Sequence, residues 1–144
     1  MTSIVKLILE GKETYEMYHG TEKEFDSFDL KFFNQGSGDG GWLGYGIYLT
    51  NDIEYAETYG DVLVCEVTVE NPLVLKDELY SRRPEKLAQD LDVSNSRGVT
   101  KKLKEKGYDS VMLTYDENWG KFIEICVFDP SNIKVLRRIE SEYE

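Results

Sequence analysis

The 144-residue chain reads as a single α+β domain of two packed, mainly antiparallel sheets with a few peripheral helices. About six short segments carry the apolar-polar alternation of strands, while the helix-like segments cluster in two places instead of alternating with them. The βαβ rhythm of a doubly wound parallel sheet is missing. No internal repeat or Pro/Ser-rich linker divides residues 1–144, and Pro72, Pro84 and Pro130 fall at element boundaries.

Near the N-terminus the apolar run Ile4, Val5, Leu7, Ile8 and Leu9 is broken by Lys6 and followed by charges, too short and interrupted for a signal peptide or membrane span. Residues 14–20, TYEMYHG, read as a strand ending at Gly20, with Tyr15, Met17 and His19 pointing one way. The stretch 32–46, FFNQGSGDGGWLGYG, holds six glycines from Gly36 to Gly46 and predicts a mobile loop able to bring backbone close to a ligand. A plain linker would not need Phe32, Phe33, Trp42 and Tyr45. GIYLT (46–50) is a short strand, after which Asn51 with Glu54 is expected to cap a helix stopping at Gly60, with Tyr55 and Tyr59 on one face.

The segment 62–70 is the clearest strand, with Leu63, Cys65, Val67 and Val69 on one apolar face; Asn71-Pro72 ends it and LVLK begins another. Residues 84–90 and 96–106 are helix-like, the second closing at Gly107 after lysines that suit the negative end of the helix dipole. Strands are then expected at 109–115, 122–128 and 133–139.

Composition narrows the function. Seventeen Lys and Arg against 28 Asp and Glu give a net charge of −11, which argues against a surface for nucleic-acid phosphates or anionic lipid. No Walker A or dinucleotide-binding glycine motif stands between a strand and a helix, and no GxSxG elbow is present. His19 is the only histidine, so no metal site is expected around it. Cys65 and Cys126 lie in apolar strand contexts and read as small buried hydrophobes, a disulfide between them remaining open. Neither has a neighbour that would make it a nucleophile.

Two residues are ambiguous by themselves. Glu124, in FIEICVF, is a carboxylate on a strand apolar on both faces; it is either an edge residue facing water or a buried group needing a partner or a task. His19 fits a satisfied core or rim histidine as well as a functional one.

Taken in order, Tyr18-His19-Gly20-Thr21, then Gly44-Tyr45-Gly46-Ile47-Tyr48-Leu49-Thr50, then Glu124 in a strand running into Phe128-Asp129-Pro130-Ser131, the sequence resembles the ADP-ribosyltransferase superfamily. The pattern is that of its His-Tyr-Glu class, which includes diphtheria toxin and the poly(ADP-ribose) polymerases, and the resemblance extends from about Tyr15 to Ile133. It implies a fold of two packed, largely antiparallel sheets holding NAD, the ADP-ribose donor, in the cleft between them, with no metal.

By that resemblance His19 bonds the adenosine ribose, the Gly20 backbone holds the nicotinamide carboxamide, Thr21 lies near the same ribose, and Tyr48 and Tyr59 sandwich the nicotinamide ring. Glu124 is the catalytic carboxylate, and the glycine-rich loop covers the donor pocket. Two positions depart from relatives. Phe122 stands where the arginine-modifying branch carries Glu or Gln, and Ala56 where polymerase-like members often carry serine. Arginine modification by that branch's mechanism is therefore not expected and one donor contact is missing, while over a chain of this size the resemblance implies transfer of a single ADP-ribose by a small bacterial or phage type of enzyme, acting in a cytoplasm as a toxin or effector. The target is a protein in preference to nucleic acid, with no membrane partner. NAD glycohydrolysis, with water as acceptor, and a non-enzymatic NAD-binding module are the alternatives.

Overall fold

The structure, a computed structural model, describes residues 7–9, 12–21, 43–76, 80, 83 and 85–140. Within them lie strands β1 (Leu7–Leu9), β2 (Lys12–Thr21), β3 (Ile47–Thr50), β4 (Asp61–Val69), β5 (Pro72–Leu75), β6 (Ser110–Glu117), β7 (Gly120–Val127) and β8 (Ile133–Ile139). Three α-helices accompany them, α1 (Ile53–Glu57), α2 (Lys86–Asp90) and α3 (Ser96–Glu105). The strand-rich α+β reading therefore holds, with more strands than the six the alternation marks. β6 and β7 also run closer to their shared turn than expected, because polar Asp116, Glu117 and Lys121 still pair in the ladder.

All eight strands belong to one hydrogen-bonded sheet in the order β5-β6-β7-β3-β2-β4-β8, with β1 added to β2. Only β5 and β6 run parallel. The two halves of the sheet meet at its weakest seam: β2 and β3 pair at a single point, Tyr18 opposite Thr50, whereas β2 pairs β4 from Glu13 through Thr21. Because the strands are antiparallel, His19, Gly20 and Thr21 run alongside Leu49, Tyr48 and Ile47 with no ladder between them. The sheet opens there.

Strand alternation feeds two apolar clusters. One takes Tyr15 and Met17 of β2, Leu63, Cys65 and Val67 of β4, Ile47 and Leu49 of β3 and Ile123, Ile125 and Val127 of β7, so both halves of the sheet contribute to it. The other joins Val111 and Leu113 of β6, Cys126 and Phe128 to Leu43, to Leu87 of α2 and to Val99 and Leu103 of α3. Each large aliphatic side chain so buried contributes about 1.5–3 kcal/mol, enough to hold short helices that would not be stable alone. The cysteines lie in different clusters, both as free buried thiols, and burial pushes the Cys65 thiol up to about 12.

Asn95 caps α3 by accepting from the Gly98 N–H (2.8 Å), and Gly107 follows the helix at φ +93°. α1 starts differently from the expectation. Asp52, not Asn51, is its N-cap, with Oδ1 accepting from the N–H groups of Glu54 and Tyr55. Asn51 is one residue too early for that task because its N–H still bonds β7, at the Ile123 carbonyl. No helix among the described residues is long and apolar enough to cross a membrane.

Candidate active site

Glu124 lies on β7, between β3 and β6, so it is on an interior strand and not an edge. Only 7% of it is exposed. Its neighbours across the ladders are Thr50 on β3 and Leu113 on β6, and alternation puts Phe122 and Cys126 on its face. Burial raises its carboxyl to about 7, against the opposing pull of a hydrogen bond from Tyr55. The water-facing alternative left open by the sequence is thereby excluded: a carboxyl poised near neutrality stands in an apolar wall.

Three features fix this residue. Asn51 is 3% exposed and grips β7 just before Glu124, its Nδ2 donating to the Lys121 carbonyl (2.7 Å) and its Oδ1 accepting from the Ile123 N–H (2.8 Å). The Asn51 N–H donates to the Ile123 carbonyl (3.1 Å). Above the strand, the Tyr55 ring from α1 stands edge-on to Phe122 (centroids 5.7 Å, 83°), and Phe122 leans on Tyr115 (5.2 Å). Desolvation and the neighbouring Glu124 charge both push the Tyr55 phenol far above its ordinary value, so it keeps its proton. Neither Asn51 nor Tyr55 emerged from the sequence as a site residue. For Tyr55 the four-residue spacing to Tyr59 was a usable signal, and the two hydroxyls do meet at 3.2 Å.

Tyr48 is opposite Cys126, on the Glu124 face. Its hydroxyl accepts from the Leu43 N–H and donates to the Gly44 carbonyl, both at 2.8 Å, which pins the turn entering β3. Burial keeps this phenol protonated too. Thr100 of α3 holds Tyr45 in the same turn, accepting from its N–H (2.8 Å) and donating to its carbonyl (3.0 Å), while Arg97 covers the Tyr45 ring at 4.3 Å. Most of the glycine-rich stretch 32–46, including Phe32, Phe33 and Trp42, lies outside the described residues.

On the other bank of the opening stand the β2 residues. By strand parity His19 belongs to the face of Tyr15 and Met17, yet its Nδ1 lies 2.6 Å from the Tyr48 carbonyl, so the ring spans the gap between β2 and β3. A carbonyl only accepts, so Nδ1 carries the proton and the neutral ring has Nε2 as its acceptor. Burial lowers the histidine to about 4, more than the Tyr48 bond raises it, and the ring is neutral at pH 7. Thr21 is buried opposite Asp61.

Gly20 has a structural cause that the sequence did not suggest. A Cβ there would sit 1.9 Å from the Ala56 carbonyl oxygen and 3.0 Å from the Tyr59 Cβ, so the missing side chain makes room for α1. That close approach sets Tyr59 over the end of β2. Tyr59 is 56% exposed and meets Tyr55 edge-on (5.7 Å, 85°).

The seam of the sheet thus gathers a neutral histidine, two tyrosine rings and a buried carboxyl from four separate elements. Among the described residues no group of three or more His, Cys, Asp or Glu could hold a metal ion. The arrangement offers hydrogen bonds, aromatic ring surface and one carboxyl, the means to hold a flat cationic group. No curated protein matches the chain. A family model described as the ADP-ribosyltransferase in polyvalent proteins matches residues 11–141, nearly the whole sequence, and by that match the chain belongs to this family of ADP-ribosyltransferases.

Proposed function

We propose that the protein is an NAD-dependent ADP-ribosyltransferase of the His-Tyr-Glu class, formed by residues 1–144 as one catalytic domain and transferring a single ADP-ribose to a protein. The burial of Glu124 on an interior strand, with its carboxyl held near neutrality, carries the reading most directly. A charged glutamate in an apolar wall costs several kcal/mol unless a positive charge arrives beside it. The pyridinium of NAD and the positive charge that develops on its ribose are such charges.

In this reading the opening between β2 and β3 is the donor cleft, and the two halves of the sheet act as two packed layers around it. His19, neutral and held by the Tyr48 carbonyl, presents an acceptor nitrogen of the kind a ribose hydroxyl bonds, with the Thr21 hydroxyl nearby. The Gly20 backbone takes the nicotinamide carboxamide. Tyr48 and Tyr59 stack on the nicotinamide ring, each face contributing on the order of 1 kcal/mol through stacking and cation–π attraction. Glu124 bonds the 2′-hydroxyl and stabilises the ribose charge as the bond between C1′ and the pyridine nitrogen breaks.

The bonding electron pair leaves with nicotinamide, which departs neutral and needs no general acid. The acceptor's nucleophile then bonds to C1′ and its proton passes to a base, a task open to a carboxyl titrating near 7. The surplus of acidic residues favours a protein acceptor over nucleic acid, in a cytoplasmic setting.

The test follows free nicotinamide and protein-bound label after incubation with adenylate-labelled NAD, alone and with cell lysate. Transfer to protein that depends on lysate and is lost in Glu124→Gln supports the proposal. Rapid release without a target identifies an NAD glycohydrolase, NAD binding without release identifies a binding module, and an undiminished Glu124→Gln variant overturns the mechanism.

A further inference from the structure

Tyr55 has no part in the donor contacts above, yet it meets two of the groups assigned to them. It projects from α1, which is fastened at its start by the Asp52 cap and, one residue earlier, by the Asn51 grip on β7. The ring is held edge-on from two sides, by Phe122 at 5.7 Å and by Tyr59 at 5.7 Å. Phe122 is two residues before Glu124 and shares its face, which brings the Tyr55 hydroxyl into hydrogen-bonding reach of the Glu124 carboxyl. The same hydroxyl lies 3.2 Å from that of Tyr59.

Hydrogen-bond arithmetic orients this chain. An ionised carboxylate can only accept and a phenol has one proton, so Tyr55 donates to Glu124 and must accept from Tyr59. We infer that Tyr55 is a positioning residue that aligns the Glu124 carboxylate and the Tyr59 ring together, through one hydroxyl that donates to the first and accepts from the second. The two ends are the charge that faces the breaking bond and the ring that faces the leaving group, so Tyr55 fixes their separation. The donated bond also favours the ionised carboxylate over the neutral acid that burial favours.

The inference rests on Glu124 being the reacting carboxylate, and Tyr55→Phe tests it by deleting the hydroxyl while keeping the ring against Phe122. In nicotinamide release the variant is expected to lose about tenfold in kcat, as misplaced reacting groups do. The acid limb of its pH profile is expected to move up by about one pH unit, because the carboxylate loses a charge-assisted hydrogen bond. Tyr59→Phe, which leaves the bond to Glu124 in place, is expected to keep the acid limb of the parent. An unchanged acid limb and a kcat within about twofold in Tyr55→Phe overturn the inference.

A carbon-13 titration of the Glu124 carboxyl, assigned by its loss in Glu124→Gln, reads the same bond without activity. It separates the two claims: a parent that releases no nicotinamide sinks the proposed function, while the Glu124 midpoint still rises in Tyr55→Phe if the bond exists and stays put if it does not. If that variant fails to fold, the Tyr55 Cζ signal of the parent decides. It follows the Glu124 midpoint when the two are bonded, and a flat Tyr55 signal between about pH 5 and 9 overturns the inference.

Discussion

Replacing Glu124 by Gln should make the protein more stable at neutral pH while removing its activity. Glutamine keeps the shape and much of the hydrogen bonding but has no charge to bury. Burial takes the Glu124 carboxyl from 4.5 to about 7. That span of about 2.5 pH units, at 1.36 kcal/mol each, is about 3 kcal/mol. The sign follows from the raised value: the folded state prefers the protonated acid, so this preference helps stability below pH 4.5 and is lost as pH rises through 7, where the unfolded chain is ionised and the folded one is made to follow. The glutamine amide does not titrate. Urea unfolding of the two proteins in parallel between about pH 5 and 8 should therefore show the variant gaining on the parent by about 2–3 kcal/mol, with the gain levelling off above about pH 7. A difference that stays constant within about 0.5 kcal/mol over that range would refute the burial argument, since carboxylates common to both proteins cancel in the comparison.

Two further outcomes test the frame around that carboxyl. Gly20→Ala would place a methyl 1.9 Å from the Ala56 carbonyl and must push α1 off β2; a loss of about 3 kcal/mol in thermal unfolding is expected, and a change under about 1 kcal/mol would mean that the contact yields easily. His19 should show, by nitrogen-15 shifts, a neutral ring protonated at Nδ1 at pH 7 and a midpoint near 4; a midpoint near the ordinary 6.5 would show that the ring is not held in the sheet opening.

Strands and their faces were legible in the sequence where one face is apolar throughout, as with Leu63, Cys65, Val67 and Val69, because that face is buried and the period of two fixes the register. The ends of β6 and β7 were not, since polar Asp116, Glu117 and Lys121 have no apolar period yet still complete a hairpin that turns through Asn118 and Trp119. His19 and Glu124 could be singled out by scarcity and by context, and their chemical states came only from neighbours far along the chain. Asn51 shows why. An asparagine before a helix reads as a cap from local sequence, but its partners, Lys121 and Ile123, are 70 and 72 residues away, and nothing local reveals a side chain that completes a ladder. Tyr55 was hidden for the same reason, its contacts with Phe122 and Tyr59 set by the packing of α1 against β7. Gly20 was singled out by its place after His19, but the need for glycine there was not legible: the space its missing Cβ leaves is taken by Ala56, 36 residues away.

The Asn51 grip has a bearing on which side chains around Glu124 can vary. Both of its side-chain bonds to β7 go to main-chain groups, a carbonyl at 121 and an N–H at 123, and neither depends on which side chain occupies those positions. This part of the hold on Glu124 is therefore independent of the side chains at the hairpin tip, which carries Trp119 at 41% exposed and the solvent-facing Lys121. Substitution at that tip, from Asn118 to Lys121, can accumulate, or be selected in a library, without loosening the Asn51 grip on the strand. A scaffold arranged in this way separates the main-chain contacts that set the register of β7 from the side chains at its turn that are free to vary.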